Sequence, residues 1–122
     1  MRPILIALLV VCPLAPGGAQ EMADGQRSPG DLTIEERREM MQHASDYNAC
    51  VYNAAIADID KHPDIRQIAD EALGACVERL DVLNETITAW GFPSGFAAGF
   101  TRSVRDRAVR QLLPELAVRK GS

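Results

Sequence analysis

The chain has 122 residues, a formal net charge of −4 and an apolar fraction of 47%. This length predicts a single domain. A net negative charge opposes binding to the negatively charged nucleic-acid backbone, so nucleic acid is not expected as a partner.

Residues 1–19 have the pattern of a secretory signal peptide. Arg2 supplies a basic start, residues 4–14 are apolar apart from Pro13, and residues 17–19 are small, as a signal peptidase requires. The apolar run would extend only about 16 Å as a helix, which is too short to cross a bilayer. We therefore expect export, to the bacterial periplasm or beyond the cell, and no transmembrane span. Cys12 would be removed with the signal.

The mature chain is expected to begin with a disordered arm followed by one helical domain. Residues 20–30 are polar, contain glycine and proline, and show no apolar periodicity. Residues 31–120 carry helical spacing and form the predicted domain. A core of that size is small, so a covalent link between its helices would add useful stability.

The first predicted helix begins at Asp31 or Thr33, where Thr33 and Glu36 fit a capping box. It ends near residues 60–62, because Pro63 disfavours helical geometry in the residue before it. Apolar residues at steps of three and four predict its inner face: Met40, Ala44, Tyr47, Val51, Ala54 and Ala55.

The second predicted helix is long and starts with Pro63 at its first position. Its inner face contains Ile65, Ile68, Ala69, Ala72, Leu73, Cys76, Leu80, Leu83, Ile87 and Trp90. Its acidic residues are interpreted as a solvated face. Residues 91–93, which are glycine, phenylalanine and proline, end it.

Ser94 is predicted to cap a third helix. Its inner face is expected to contain Phe96, Phe100, Val104, Ala108, Leu112 and Leu113. Pro114 should break or kink this helix, leaving residues 115–120 as a short final piece. The predicted fold is therefore a small all-α bundle of three helices, or four if the kinked tail is counted.

Cys50 and Cys76 lie equally far, in residues, before and after Pro63. If the first two helices fold back around that proline, the two cysteines come level, and export keeps such a pair oxidised. The sequence thus predicts a Cys50–Cys76 disulfide joining an antiparallel helical hairpin. Closing a loop of about 26 residues should stabilise the fold by roughly 3 to 4 kcal/mol.

The sequence contains no catalytic constellation, so the protein is expected not to be an enzyme and to need no cofactor. The first hypothesis is binding to an unidentified protein, as a chaperone-like factor, an inhibitor or immunity-type protein, or an accessory subunit. The candidate contact residues are Trp90, Phe92, Phe96, Phe100, Arg102 and Arg105. The protein itself is expected to be a monomer or a weak dimer.

Two alternatives stay open. Met40 and His43 follow the same helical stripe as Tyr47 and Cys50, and thioether, imidazole and thiolate groups together can hold a soft metal. The simpler interpretation puts Met40 in the core and Cys50 in the disulfide. The other alternative is binding to the envelope surface through the basic C-terminal helix, since residues 91–122 are basic whereas residues 31–90 are acidic.

Residues 32–40 read Leu-Thr-Ile-Glu-Glu-Arg-Arg-Glu-Met. This stretch resembles the Leu-Thr-x-x-Gln-Arg-x-x-Met stretch of periplasmic chaperones of the Spy/CpxP type, with Glu36 at the glutamine position and no second copy in the chain. The size, the export signal and the single cysteine pair are also similar to acid-stress chaperones of the HdeA type, whose cysteines lie further apart. Both resemblances imply a helical periplasmic chaperone.

Overall fold

The computed structural model describes residues 26–121. The predicted signal peptide and residues 20–25 of the predicted arm lie outside this range. Within it the chain forms four α-helices and no strand: α1 (Ile34–Ala57), α2 (Ile65–Ala75), α3 (Val77–Ala89) and α4 (Ser94–Gly121), preceded by a short 3-10 turn at Pro29–Asp31. The all-α fold class is confirmed.

The predicted start of α1 is confirmed by its capping box. The hydroxyl of Thr33 accepts a hydrogen bond from the Glu36 backbone N–H, and the Glu36 carboxylate accepts one from the Thr33 N–H, both at 3.0 Å. These bonds satisfy donors that have no partner within the helix. The helix ends at Ala57, earlier than expected, because the Asp58 N–H bonds to the nearer carbonyls of Ala55 and Ile56.

The predicted helical position of Pro63 is wrong. α2 begins at Ile65, and Asp64 is its N-cap, with the Asp64 carboxylate accepting from the Arg66 N–H at 2.9 Å. A side-chain oxygen at the N-cap satisfies one of the first free backbone donors of a helix. Pro63 therefore belongs to the turn between α1 and α2.

The long second helix of the prediction is interrupted at Cys76, which separates α2 from α3. The Cys76 N–H bonds to the carbonyls of Leu73 and Gly74 instead of the carbonyl four residues back. Glycine at position 74 weakens the helix next to the interruption. The apolar spacing continues unchanged on both sides, so α2 and α3 together occupy the place of the predicted helix in a three-helix bundle.

Of the break or kink predicted at Pro114, the break is wrong, because α4 is helical from Ser94 to Gly121 with Pro114 inside it. Pro114 and Arg110 are exposed, so water can reach the Arg110 carbonyl that proline leaves without a helical donor. Leu112 and Leu116 are buried on either side of the proline. Their packing holds the helix together, and residues 115–120 are its last turns.

The Cys50–Cys76 disulfide is confirmed, with a Cα–Cα distance of 6.0 Å. It joins the middle of α1 to the junction between α2 and α3. α1 packs mainly against α2, and α4 lies along both α2 and α3. The helices share one core, whose buried members are Met40, Tyr47, Val51, Ala55, Ile68, Ala69, Ala72, Leu73, Cys76, Leu83, Ile87, Phe92, Ala97, Val104, Ala108, Leu112 and Leu116.

Tyr47 occupies the core with a polar atom. Its side chain is 1% exposed, and its hydroxyl has no hydrogen-bond partner among residues 26–121. Burial raises the pKa of the Tyr47 phenol. A buried hydroxyl without a partner costs free energy, because the group loses its bonds to water on folding.

Candidate functional site

The last residues of the predicted arm are ordered in the structure. Arg27 donates to both carboxylate oxygens of Glu36 at 2.6 and 2.7 Å and to the carbonyl of Asp31 at 2.6 Å. Its guanidinium lies 4.4 Å from the centre of the Phe92 ring, and its backbone N–H donates to the Gly91 carbonyl at 2.9 Å. Arg27 therefore joins the N-terminal segment to the start of α1 and to the α3–α4 corner.

The Arg27 cluster is structural. The Arg27 guanidinium, followed by the Thr33 backbone N–H, lowers the pKa of Glu36 to about 2. A paired and hydrogen-bonded carboxylate with a low pKa stays ionised at neutral pH and is a poor proton acceptor. The sequence does not predict this contact, because nothing in a polar stretch marks which arginine will pair.

The predicted aromatic contact residues are not an open patch. Phe92 is 3% exposed and belongs to the core, and its ring centre lies 5.1 Å from that of Phe96. Trp90, Phe96 and Phe100 are half-buried against the same core. Phe92 offers no surface to a partner, and the other three are only partly exposed.

Arg102 and Arg105, the two remaining contact candidates, line a groove of about 600 Å³ between α3 and α4. The apolar residues of the groove are Val77, Leu80 and Ala98. Val77 is 47% exposed, so part of the apolar surface of the groove is accessible to another molecule. The groove therefore combines an accessible apolar floor with charged edges.

The two edges of this α3–α4 groove carry opposite charge. Asp81 and Glu85 project from α3, and Arg102 and Arg105 project from α4. Within residues 26–121 no ion pair crosses the groove, and the contact of Arg105 is with its neighbour Asp106 at 3.7 Å. Arg105 thus contacts an acidic residue of its own edge, whereas within residues 26–121 Asp81, Glu85 and Arg102 form no ion pair and can meet charges on another molecule.

A second concave face lies between α1 and α4, and it differs from the groove because side chains on its two sides bond to each other. Its two hollows, of about 430 and 290 Å³, are lined by serine, asparagine and glutamine and by a similar number of apolar residues. The side chains of Asn48 and Gln111 hydrogen-bond across it at 2.9 Å. Because this hydrogen bond already links the two sides of the face, the face makes a weaker candidate than the α3–α4 groove.

The residues of the metal hypothesis do not form a ligand set. Met40 is 2% exposed inside the core, and Cys50 is bonded to Cys76. His43 lies 3.8 Å from Glu39 at the helix surface. In the described part of the chain no three histidine, cysteine, aspartate or glutamate side chains lie close enough together to hold a metal ion.

The basic residues of α4 do not share one face. Arg102 and Arg105 line the α3–α4 groove, whereas Arg107 lines the hollow on the α1 side. Near the end of the helix, Arg119 donates to the Tyr52 hydroxyl and Lys120 to the His62 carbonyl, both at 2.6 Å. Such a distribution does not favour a membrane surface, which needs cations on one side.

No protein-family model, curated protein sequence or solved structure matches this chain. The resemblance to periplasmic chaperones therefore extends no further than residues 32–40 and the general features of the chain. Between residues 26 and 121 no helix has the length and apolar content needed to cross a membrane.

Proposed function

We propose that the chain is an exported, non-catalytic protein that acts by binding another protein through the α3–α4 groove. The observation that carries the proposal is the groove itself, with exposed Val77 between acidic and basic edges that do not pair with each other. Protein interfaces combine an apolar centre with a polar rim of complementary charge.

Two features support the exported location. Residues 1–19 have the order of a signal peptide, and the Cys50–Cys76 disulfide indicates an oxidising environment. We propose the bacterial periplasm, with secretion as the alternative. Cell fractionation followed by N-terminal sequencing tests this, and the expected mature N-terminus is Gln20. A cytoplasmic protein that retains Met1 would contradict it.

Site-specific photocrosslinking in living cells tests the binding surface. A photoreactive amino acid replaces Glu85 at the edge of the groove, and a matched variant carries it at Arg38, which is exposed on α1 away from the groove. We expect a discrete covalent adduct of the position 85 variant that the position 38 variant does not give. Adducts at both positions, or at neither, would contradict the proposal.

A further inference from the structure

The charge pattern of the α3–α4 groove is complementary to itself. A two-fold symmetric dimer uses the same surface on both copies, so each charge must meet its opposite on an identical face. The groove meets this condition in its net charges, since Asp81 and Glu85 lie on one edge, and on the other edge Arg102 and Arg105 outweigh Asp106. We infer that the α3–α4 groove binds a second copy of this chain, an inference that rests on the proposed function and names its partner.

The charges also select the arrangement of the two copies. α3 and α4 run antiparallel because the short corner of residues 90–93 joins them. When two such faces stack about a two-fold axis parallel to the helices, α3 of one copy covers α4 of the other. Asp81 and Glu85 of each copy then face Arg102 and Arg105 of the other copy, once on each side of the two-fold axis.

The other arrangement fails on electrostatic grounds. A two-fold axis perpendicular to the helices and within the interface would put α3 over α3, and acidic edges would face acidic edges. Like charges opposite each other oppose association. The favoured dimer therefore stacks the α3–α4 pair of one copy on the α3–α4 pair of the other, so that four helices form two layers.

The dimer is weak and sensitive to salt. Its apolar centre is small, and exposed ion pairs are individually weak and screened by salt. We expect a dissociation constant of the order of 10 μM or higher in dilute buffer, and weaker association in 1 M salt. This agrees with the expectation of a monomer or weak dimer from the sequence.

Charge reversal with cross-rescue tests the interface. One variant carries Asp81→Lys and Glu85→Lys, the other Arg102→Glu and Arg105→Glu, and circular dichroism verifies that both fold. Analytical ultracentrifugation should show each variant alone dimerising roughly tenfold more weakly than the original protein or worse. An equimolar mixture should form heterodimers, because each altered edge then faces its opposite.

A control variant separates the interface from net charge. Asp60→Lys with Asp70→Lys makes the same change in net charge as Asp81→Lys with Glu85→Lys, but on exposed residues outside the groove, and it should dimerise like the original protein. The inference is overturned if the original protein is monomeric at about 1 mM, if the reversal variants dimerise normally, or if their mixture shows no rescue.

The photocrosslinked adduct separates this inference from the proposed function. Mass spectrometry of the position 85 adduct should identify a second copy of the same chain. An adduct with a different protein would overturn the second copy as partner and leave binding through the groove intact. An adduct that joins position 85 to the N-terminal residues of the same chain would mean that these residues occupy the groove. That result would overturn both the proposed function and this inference.

Discussion

Loss of the Cys50–Cys76 disulfide should remove a large part of the folding free energy. The bond closes a loop with a sequence separation of 26 residues. The chain-entropy relation gives about 3.5 kcal/mol at 25 °C for such a loop. A domain of this size is stable by only about 5 to 15 kcal/mol. For a domain of about 100 residues, this loss lowers the midpoint of thermal unfolding by about 15 to 25 °C.

Urea and thermal unfolding followed by circular dichroism at 222 nm measure this loss. Two forms are compared with the oxidised protein: the same protein after reduction, which keeps both sulfur atoms, and the Cys50→Ala/Cys76→Ala variant. Cys76 is 1% exposed, so the variant also leaves a small void and should be the less stable of the two. If reduction costs less than about 1 kcal/mol, the loop-closure reasoning is refuted.

Three further changes test other parts of the fold. Tyr47→Phe removes a buried hydroxyl that has no partner among residues 26–121, so urea unfolding should show a gain of up to about 1 kcal/mol, and a loss would mean that the hydroxyl is bonded. Pro114→Ala restores a helical donor on the surface of α4 and should raise the free energy of unfolding in urea by about 1 to 3 kcal/mol, and an unchanged or lower value would contradict this reasoning. Arg27→Ala removes the main cause of the lowered Glu36 pKa, which falls from 4.5 to about 2. A carboxyl pKa that is lowered in the folded state stabilises the fold at pH values above the pKa of the unfolded state, and this stabilisation is lost as pH falls through the pKa of the folded state. The difference in thermal unfolding midpoint between the original protein and Arg27→Ala should therefore shrink as pH falls from about 6 to 2. A difference that stays constant with pH would contradict this account.

The sequence predicts the helices and their inner faces well, because helical spacing and capping are local properties. The Thr33–Glu36 capping box and the stripe of Met40, Tyr47 and Val51 depend only on residues three and four positions apart. The disulfide is predictable for a related reason. A single turn near Pro63 brings Cys50 and Cys76 level once both flanking segments are helical.

The features that the sequence does not predict depend on distant contacts. The interruption at Cys76 leaves the apolar spacing unchanged, and Pro114 stays helical because buried leucines surround it. Arg27 contacts Glu36, nine residues further along the chain, and the α3–α4 corner, which is far from it in sequence. Tertiary packing overrides local preference at these positions.

The candidate site could be predicted only in part. The sequence predicts Arg102 and Arg105 as contact residues. The acidic residues that form the α3 edge are, by contrast, predicted only as a solvated face. Asn84 and Glu85 follow Asp81 by three and four residues, and this spacing places all three on one side of the helix. That they face the arginines of α4 follows only from the antiparallel packing of the two helices.

The central claim is that another protein covers the α3–α4 groove where the protein works. Carbodiimide labelling of carboxyl groups, read by mass spectrometry, measures this on the unaltered chain, both in its native compartment and as dilute purified protein. We predict that Asp81 and Glu85 are labelled several-fold less in the native compartment, while Glu35 and Asp70, which are exposed elsewhere, are labelled equally in both. Equal labelling of Asp81 and Glu85 in the two samples would contradict the account.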